Sequence, residues 1–197
     1  MNITNHKLWC VDQGHFNEDQ ALFVSDLVEK QGPEYCLETG FCTGRSALSV
    51  LLSTSTIKKF ISIDIDFGGF VTCHAGRKYK SLIESEFPRF KGVQGSSDDI
   101  LQELFFTSEY PSGIDWFMVD GDHSYNGCFT DIERAIPYMY DGGIIIIDDY
   151  NSGPPNGWVN STVAKACDDI LIKYKSKLSK SEWNKLGKGF CIFTVGK

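Results

Sequence analysis

Acidic residues at the ends of predicted strands are the first sign of chemistry in this sequence. Glu38 stands two residues before Gly40 in the segment 36–46, whose pattern predicts a strand, a glycine turn and the start of a helix. A dinucleotide site would need a third, closely spaced glycine so that a pyrophosphate can approach the amides of a helix N-terminus. The segment offers only Gly40 and Gly44, and Glu38 adds negative charge. We therefore expect Glu38, Gly40 and Gly44 to bind a cofactor without phosphate and with cationic groups, such as S-adenosylmethionine.

Four further residues are candidates for cofactor binding. Asp64 ends the predicted second strand, where an acid can bind both ribose hydroxyls; the alternative is a strand-ending acid in solvent. Ser97 and Asp98 follow the third strand and could either hydrogen-bond an adenine edge or cap the next helix. Ser46 lies in the first turn of the helix after the glycine turn, where free amides and partial positive charge suit the carboxylate of a methionine moiety.

A second group of acids follows two later strands. Asp120 and Asp122 come after one strand and Asp148 and Asp149 after the next, with His123 beside the first pair. Clustered carboxylates repel each other unless they are protonated or neutralised by a cation. Hard divalent ions, chiefly Mg²⁺, would neutralise them; the alternative is that some of these acids cap the following helices. His123 is the candidate general base and Asp122 the second choice.

The order of elements predicts how these residues are positioned. Strands alternate with helices, which predicts an α/β fold: a single-domain, Rossmann-like, doubly wound sheet of about seven strands, mostly parallel, with helices on both faces. A helix over 125–139 precedes a buried strand over 143–148. A C-terminal hairpin, with its turn at 187–189, adds an antiparallel strand. Ligands of such sheets bind at the carboxyl ends of the strands, where the acids lie.

Size and composition narrow the class of protein. The length of 197 residues fits one domain, with 1–34 as a helical lead-in and 35–197 as the cofactor-binding core. A net charge of −7 argues against nucleic acid or an anionic membrane as the main partner. The seven cysteines form no CxxC pair, which favours reduced, mostly buried thiols in a cytoplasmic protein.

The motifs resemble those of a known family. The segment 37–47, Leu-Glu-Thr-Gly-Phe-Cys-Thr-Gly-Arg-Ser-Ala, looks like the Leu-Glu-x-Gly-x-x-x-Gly-x-Ser-Ala motif of small metal-dependent O-methyltransferases related to catechol O-methyltransferase. These belong to the class I S-adenosylmethionine-dependent methyltransferases. The segments 119–125 and 142–150 also resemble sugar O-methyltransferases of macrolide pathways, and the resemblance extends over roughly 17–195.

This resemblance implies roles for individual residues. It implies that the metal is held by Asp120, Asp148 and Asp149, and that the cofactor is contacted by Ser46, Asp64, Ser97 and Asp98, with Asp120 also beside it. In the catechol enzymes a lysine occupies the place of His123 and serves as the base. Because histidine titrates lower than lysine and suits a different geometry, a catechol-like substrate is in doubt.

The resulting hypothesis is an S-adenosylmethionine-dependent O-methyltransferase, assisted by a divalent metal and acting on a small hydroxylated acceptor. Two alternatives remain: a metal-independent methyltransferase, and a non-catalytic module that only binds S-adenosylmethionine. A nicotinamide oxidoreductase fits less well, because the glycine spacing is wrong. We expect a homodimer, with no nucleic-acid or membrane partner.

Overall fold

The computed structural model describes residues 3–9, 15–67, 75–106, 110, 113–151 and 161–196. Seven strands form one mixed sheet in this part of the chain: β1 (Tyr35–Thr39), β2 (Lys59–Asp64), β3 (Phe90–Gln94), β4 (Ile114–Val119), β5 (Met139–Ile147), β6 (Leu178–Lys185) and β7 (Lys188–Val195). The strand order is β3-β2-β1-β4-β5-β7-β6. The predicted α/β sheet, mostly parallel with an antiparallel C-terminal hairpin, is confirmed.

Six α-helices accompany these strands within the described ranges: α1 (Glu18–Gln31), α2 (Arg45–Ser53), α3 (Gly76–Glu86), α4 (Ser97–Phe106), α5 (Tyr125–Ala135) and α6 (Ser161–Lys173). None of the described helices is long and apolar enough to cross a membrane. The chain divides into two compact units, Met1–Ser96 and Ser97–Lys197.

In the first unit, β2 pairs in parallel with both β1 and β3, so the carboxyl ends of these three strands lie at the same edge. Helix α1 begins with a capping pair: the side chain of Asn17 accepts from the amide of Gln20, whose side chain accepts from the amide of Asn17. The helix ends at Gly32, whose φ of +60° is left-handed.

An aromatic cluster stabilises the glycine turn of the first unit. The Phe41 ring lies 5.2 Å from that of Phe67 and 5.9 Å from that of Phe90, between ring centroids. Such pairs contribute about 0.5–1.5 kcal/mol beyond their buried area. A Cβ at Gly44 would come within 2.6 Å of the Phe41 ring and 2.7 Å of Ile83, and φ there is +76°. This turn therefore requires glycine for both conformation and space.

In the second unit, β4 and β5 are parallel, and β7 pairs antiparallel with both β5 and β6. The predicted helix over 125–139 is wrong at its end, because α5 stops at Ala135 and a 3-10 turn, Ile136–Tyr138, follows. Pro137 lies in this turn. Proline has no N–H to donate and clashes with the carbonyl four residues earlier, so the α-helix cannot continue. Strand β5 consequently starts at Met139, earlier than predicted.

The hairpin turn also differs from the prediction. Residues 186 and 187 form the turn, with φ of +52° at Leu186 and +79° at Gly187, and Gly189 lies within β7 opposite Asn184. Two-residue hairpins favour positive φ at both central positions, which matches the twist of the strands. The predicted turn over 187–189 is therefore wrong, because Lys188 pairs with Lys185 and already belongs to β7.

The cysteines match the sequence expectation in part. Cys36, Cys128, Cys167 and Cys191 are free and buried. Cys42, in the glycine turn, is disulfide-bonded, and its partner lies outside the described residues. The expectation of reduced thiols is therefore wrong for Cys42.

Candidate active site

Glu38 is a wholly buried acid at the end of β1. The hydroxyl of Ser46 donates to its Oε1, and the hydroxyl of Ser62 donates to its Oε2 over 2.5 Å. Ser62 is the residue of β2 directly opposite Glu38 in the parallel register. A buried carboxylate costs several kcal/mol unless it is hydrogen-bonded, and the two serines supply these bonds. Glu38 thereby joins β1 to the first turn of α2.

Asp64, at the end of β2, organises the glycine turn. Its Oδ2 accepts from the backbone amides of Phe41 at 2.8 Å and Cys42 at 3.1 Å, and its Oδ1 accepts from the amide of Asp66 at 2.9 Å. A carboxylate offers about four acceptor sites, so these bonds leave about one for a further donor. Asp64 lies where the sequence predicted a ribose-binding acid, but it already bonds the chain itself.

Ser97 and Asp98 form the first turn of α4 in the second unit. The guanidinium of Arg134 donates to the carboxylate of Asp98 at 2.6 Å and to its backbone oxygen at 2.7 Å. These bonds connect the start of α4 to α5. The contact of Ser97 and Asp98 with adenine stays a prediction.

His123 lies between two carboxylates of the second unit. Its Nε2 is 3.2 Å from Oδ1 of Asp120, and its Nδ1 is 2.9 Å from Oδ2 of Asp149. The protonated ring is the form that donates to both. The hydrogen bonds to Asp120 and then Asp149 raise the pKa of His123 to about 11, against a smaller lowering by burial. As it stands in this structure, the imidazole is a cation at neutral pH.

Asp148 and Asp149 follow β5 directly. The amide of Asp148 donates to the carbonyl of Val119 at 3.0 Å, and its side chain is buried. Burial, and then the charges of Asp120 and Asp149, raise the pKa of Asp148 well above its usual value. Asp149 has a left-handed φ of +58°, and its Oδ1 lies 3.7 Å from Nζ of Lys188. The three carboxylates thus interact electrostatically.

Asp122 bonds the start of a helix. Its Oδ1 accepts from the amide of Ser124 at 2.8 Å, and its Oδ2 accepts from the Ser124 hydroxyl at 2.9 Å. Ser124 is the N-cap of α5 and accepts from the amide of Gly127 at 3.0 Å. A Cβ at Gly127 would come within 2.4 Å of Asp122. These contacts favour the capping alternative for Asp122.

The metal prediction is not confirmed by the described part of the structure. Within the described ranges, no group of three or more histidine, cysteine, aspartate or glutamate side chains is arranged to hold a metal ion. The oxygen chemistry of Asp120, Asp148 and Asp149 suits Mg²⁺. Two of these carboxylates, however, bond His123 in this structure. Coordination through the oxygens that contact His123 would require these contacts to open.

Two residues with a part in these clusters escaped the sequence analysis. Ser62 bonds Glu38, and its signal was a single polar residue within the apolar strand Phe60–Ile63 followed by an acid. Lys188 pairs with Asp149, although the sequence placed it in a hairpin turn. Its role depends on the observed register, which begins β7 at this residue.

Comparison with known proteins identifies the family of this chain. A family model described as "Methyltransferase domain" matches residues 37–150. An uncharacterised protein, R132, of Acanthamoeba polyphaga mimivirus is 27% identical over 154 residues, which are 75% of this chain and 65% of that protein. The chain thus spans somewhat less than two thirds of the length of this curated relative.

Two solved structures have a similar fold. The O-methyltransferase from Bacillus cereus, in complex with SAH, is 19% identical with a TM-score of 0.70, covering 92% of this chain and 82% of that one. The O-methyltransferase TomG from Streptomyces achromogenes, in complex with SAM, is 14% identical with a TM-score of 0.74, covering 95% of this chain and 83% of that one. At these identities the likeness shows the fold, which is Rossmann-like.

Proposed function

Because the chain belongs to the methyltransferase domain family, we propose that it transfers the methyl group of S-adenosylmethionine to a hydroxyl oxygen of a small acceptor. The observation that carries this proposal is the contact of His123 with Asp120 and Asp149 at the ends of β4 and β5. Methylation of a hydroxyl requires a group that removes its proton, and this cluster brings together the imidazole and carboxylate groups that serve as general bases.

The reaction forms one bond and breaks another. The acceptor oxygen attacks the methyl carbon, the bond from that carbon to sulfur breaks, and S-adenosylhomocysteine leaves as a neutral thioether. The hydroxyl proton must leave the acceptor. His123 can take this proton at Nε2 only after Asp120 has left that nitrogen and the ring has lost its own proton, because hydrogen bonds to both carboxylates hold its pKa at about 11. The alternative acceptor of this proton is Oδ2 of Asp120, since Oδ1 is the oxygen that contacts His123.

For the cofactor, we propose the residues around the glycine turn. Glu38 and Ser46 fix the first turn of α2, so that its free amides can face the cofactor. Asp64 holds the amides of the glycine turn. Gly40 and Gly44 let the backbone follow this path, each with positive φ. In the second unit we propose contacts from Ser97, Asp98 and Asp120.

We also propose assistance by a divalent cation held by Asp120, Asp148 and Asp149. The raised pKa of Asp148, caused by burial and by the charges of the other two, supports this, because such a cluster is stabilised by positive charge. When bound, the cation would lower the pKa of the acceptor hydroxyl. The metal-independent alternative is supported by a specific observation: His123 already bonds two of the three carboxylates.

One set of assays tests both forms of the proposal. The purified protein is incubated with S-adenosylmethionine and panels of phenols, sugars and short hydroxylated metabolites, and the release of S-adenosylhomocysteine is followed with Mg²⁺ and with EDTA. Turnover that requires Mg²⁺ and is lost in Asp148→Asn supports cation assistance. Turnover that survives EDTA supports the metal-independent form. Binding of S-adenosylmethionine by calorimetry without release from any acceptor would instead indicate a non-catalytic binding module.

A further inference from the structure

The turn that carries Asp148 and Asp149 has an unfavourable backbone. We call residues 148–151, directly after β5, the β5 turn. Asp149 has a φ of +58° and Asn151 a φ of +52°, both left-handed and neither a glycine. Each such residue costs about 1–3 kcal/mol and persists only where neighbouring structure holds it. The contacts that hold the β5 turn therefore decide where Asp149 lies.

Strand β7 contacts the backbone of this turn. A Cβ at Gly189 would lie 2.0 Å from the carbonyl oxygen of Tyr150, so only glycine allows the two chains to come this close. The side-chain amide of Asn184, opposite Gly189 on β6, donates to the carbonyl of Asn151 at 3.2 Å. Beside Gly189, Lys188 pairs with Asp149 at 3.7 Å.

Strand β6 holds the side chain of the same turn. The hydroxyl of Tyr150, which is buried, donates to Glu182 at 2.9 Å and accepts from Nζ of Lys180 at 2.6 Å. Lys180 is 15% exposed, lies 4.5 Å from the centre of the Tyr150 ring, and also pairs with Asp168 of α6 at 2.9 Å. Glu182 lies 3.0 Å from Nζ of Lys180 as well, and a half-buried cation with three polar partners and an aromatic face holds a well-defined position.

We infer that Tyr150, Lys180 and Gly189 are positioning residues: the β6–β7 hairpin holds the β5 turn so that Asp149 keeps its contact with His123. This inference rests on the proposed function, because it concerns the step in which the acceptor proton is moved. The hairpin acts through Asp149 and touches neither cofactor nor acceptor in this role. Its effect is therefore expected in kcat rather than in the affinity for S-adenosylmethionine.

Two pairs of variants test the inference. Gly189→Ala forces the β5 turn away from β7. Its control is Gly196→Ala, which adds a Cβ whose nearest neighbour is 3.9 Å away. Neither glycine has a left-handed φ, so alanine strains the backbone at neither position. Lys180→Met removes the bond to Tyr150, and Lys173→Met is its control, since Lys173 also pairs with an acid, Glu133, away from the β5 turn. Lys180→Arg retains the charge.

For each variant we would measure kcat, the Kd for S-adenosylmethionine, the melting temperature and hydrogen exchange of the β5 turn amides. We expect faster exchange and a kcat lower by about tenfold to a hundredfold in Gly189→Ala and Lys180→Met. The Kd should stay within about twofold, and Lys180→Arg should restore part of kcat. Both controls should match the wild type in all four measurements.

Several outcomes would overturn the inference. One is a folded Lys180→Met protein with wild-type exchange and wild-type kcat. Another is a lower melting temperature with kcat per folded molecule unchanged, which would indicate a purely structural role. If Gly189→Ala does not fold, the lysine variants decide. If the wild type methylates no acceptor, the proposed function fails, and hydrogen exchange alone then shows whether the hairpin holds the turn.

Discussion

Single buried polar residues determine the geometry of the glycine turn. Glu38 has no contact with water, and its position depends on one hydroxyl from each of Ser46 and Ser62. Removing one such donor leaves a buried carboxylate oxygen without that bond, which costs more than the bond itself contributes. The same residues thus support both the stability of the first unit and the shape of its turn.

Ser62→Ala should lower the free energy of unfolding by about 1–3 kcal/mol, because the buried Oε2 of Glu38 loses the hydrogen bond from Ser62. It should also weaken binding of S-adenosylmethionine, since Glu38 anchors the first turn of α2 through Ser46. Urea denaturation and calorimetry would measure the two effects. Ser81→Ala is the control, because the exposed Ser81 only bonds the backbone of its own helix. Equal stability of the two variants would contradict the role of Ser62.

Asp120 and Asp122 should respond differently to substitution, although they are two residues apart. Asp122→Ala removes the bonds to Ser124 and should cost about 1 kcal/mol of stability with near-normal turnover. Asp120→Asn keeps the size of the side chain but removes its charge beside His123, and should abolish most turnover. Thermal unfolding and S-adenosylhomocysteine release distinguish them. Loss of turnover in Asp122→Ala without loss of stability would return Asp122 to the catalytic residues.

The extent to which sequence could predict the site is clearest at Asp64. Its place at the end of a strand after a glycine turn follows from the order of elements. Its bonds to the amides of Phe41 and Cys42 do not, because they depend on how the turn folds back over β2. The contact of His123 with Asp149 could not be predicted from the sequence either, because it joins residues that follow two different strands.

At the scale of elements, the turn between β1 and α2 depends on a glycine for two separable reasons. Gly44 and Gly142 both have left-handed φ, +76° and +87°. A Cβ at Gly44 would contact Phe41 at 2.6 Å, whereas nothing lies within 4 Å of a Cβ at Gly142. Substitution by alanine would therefore strain the backbone at both positions, but only at Gly44 would the added Cβ clash with a neighbouring side chain.

Gly44→Ala should accordingly destabilise the protein by about 1–3 kcal/mol more than Gly142→Ala, because overpacking adds to the conformational cost. The additional loss should be accompanied by weaker binding of S-adenosylmethionine, which Gly142→Ala should leave unchanged. Denaturant unfolding and calorimetry on both variants make the comparison. Equal losses of stability would mean that the aromatic cluster adapts to the extra atom.

Element boundaries show where local pattern is insufficient. The helix predicted over 125–139 included Pro137. The rule that proline is not tolerated in a helix interior would have ended the predicted helix before that residue. The hairpin turn was predicted over 187–189 because two glycines lie there, but the pairing of β6 with β7, in which Gly189 lies opposite Asn184, is a tertiary feature that composition does not show.

For the whole molecule, alternation of strands and helices was sufficient to predict a mostly parallel sheet, because parallel neighbours require crossover connections. The strand order β3-β2-β1-β4-β5-β7-β6 could not be predicted from this alternation, because the same strands and helices can form sheets with other strand orders. That the polar side chains at the carboxyl ends of these strands form one binding site stays a prediction.

Binding of a cation should be visible in the stability of the whole protein. If Asp120, Asp148 and Asp149 bind Mg²⁺ in the folded chain only, the ion at about 100 times its Kd adds about 2.7 kcal/mol to the free energy of unfolding. We expect the melting temperature to rise with Mg²⁺, to fall back with EDTA, and not to respond in Asp148→Asn. An unchanged melting temperature in the wild type at millimolar Mg²⁺ would argue for the metal-independent form.

The covalent bond at Cys42 has a practical consequence for work on this protein. Cellular glutathione and thioredoxin open disulfides, whereas secretory compartments preserve them. The loop whose amides are held by Asp64 can therefore exist in two chemical forms, according to the history of the sample. Affinities obtained in buffers with and without dithiothreitol would then describe two different molecules, and the thiol content should be assayed before they are compared.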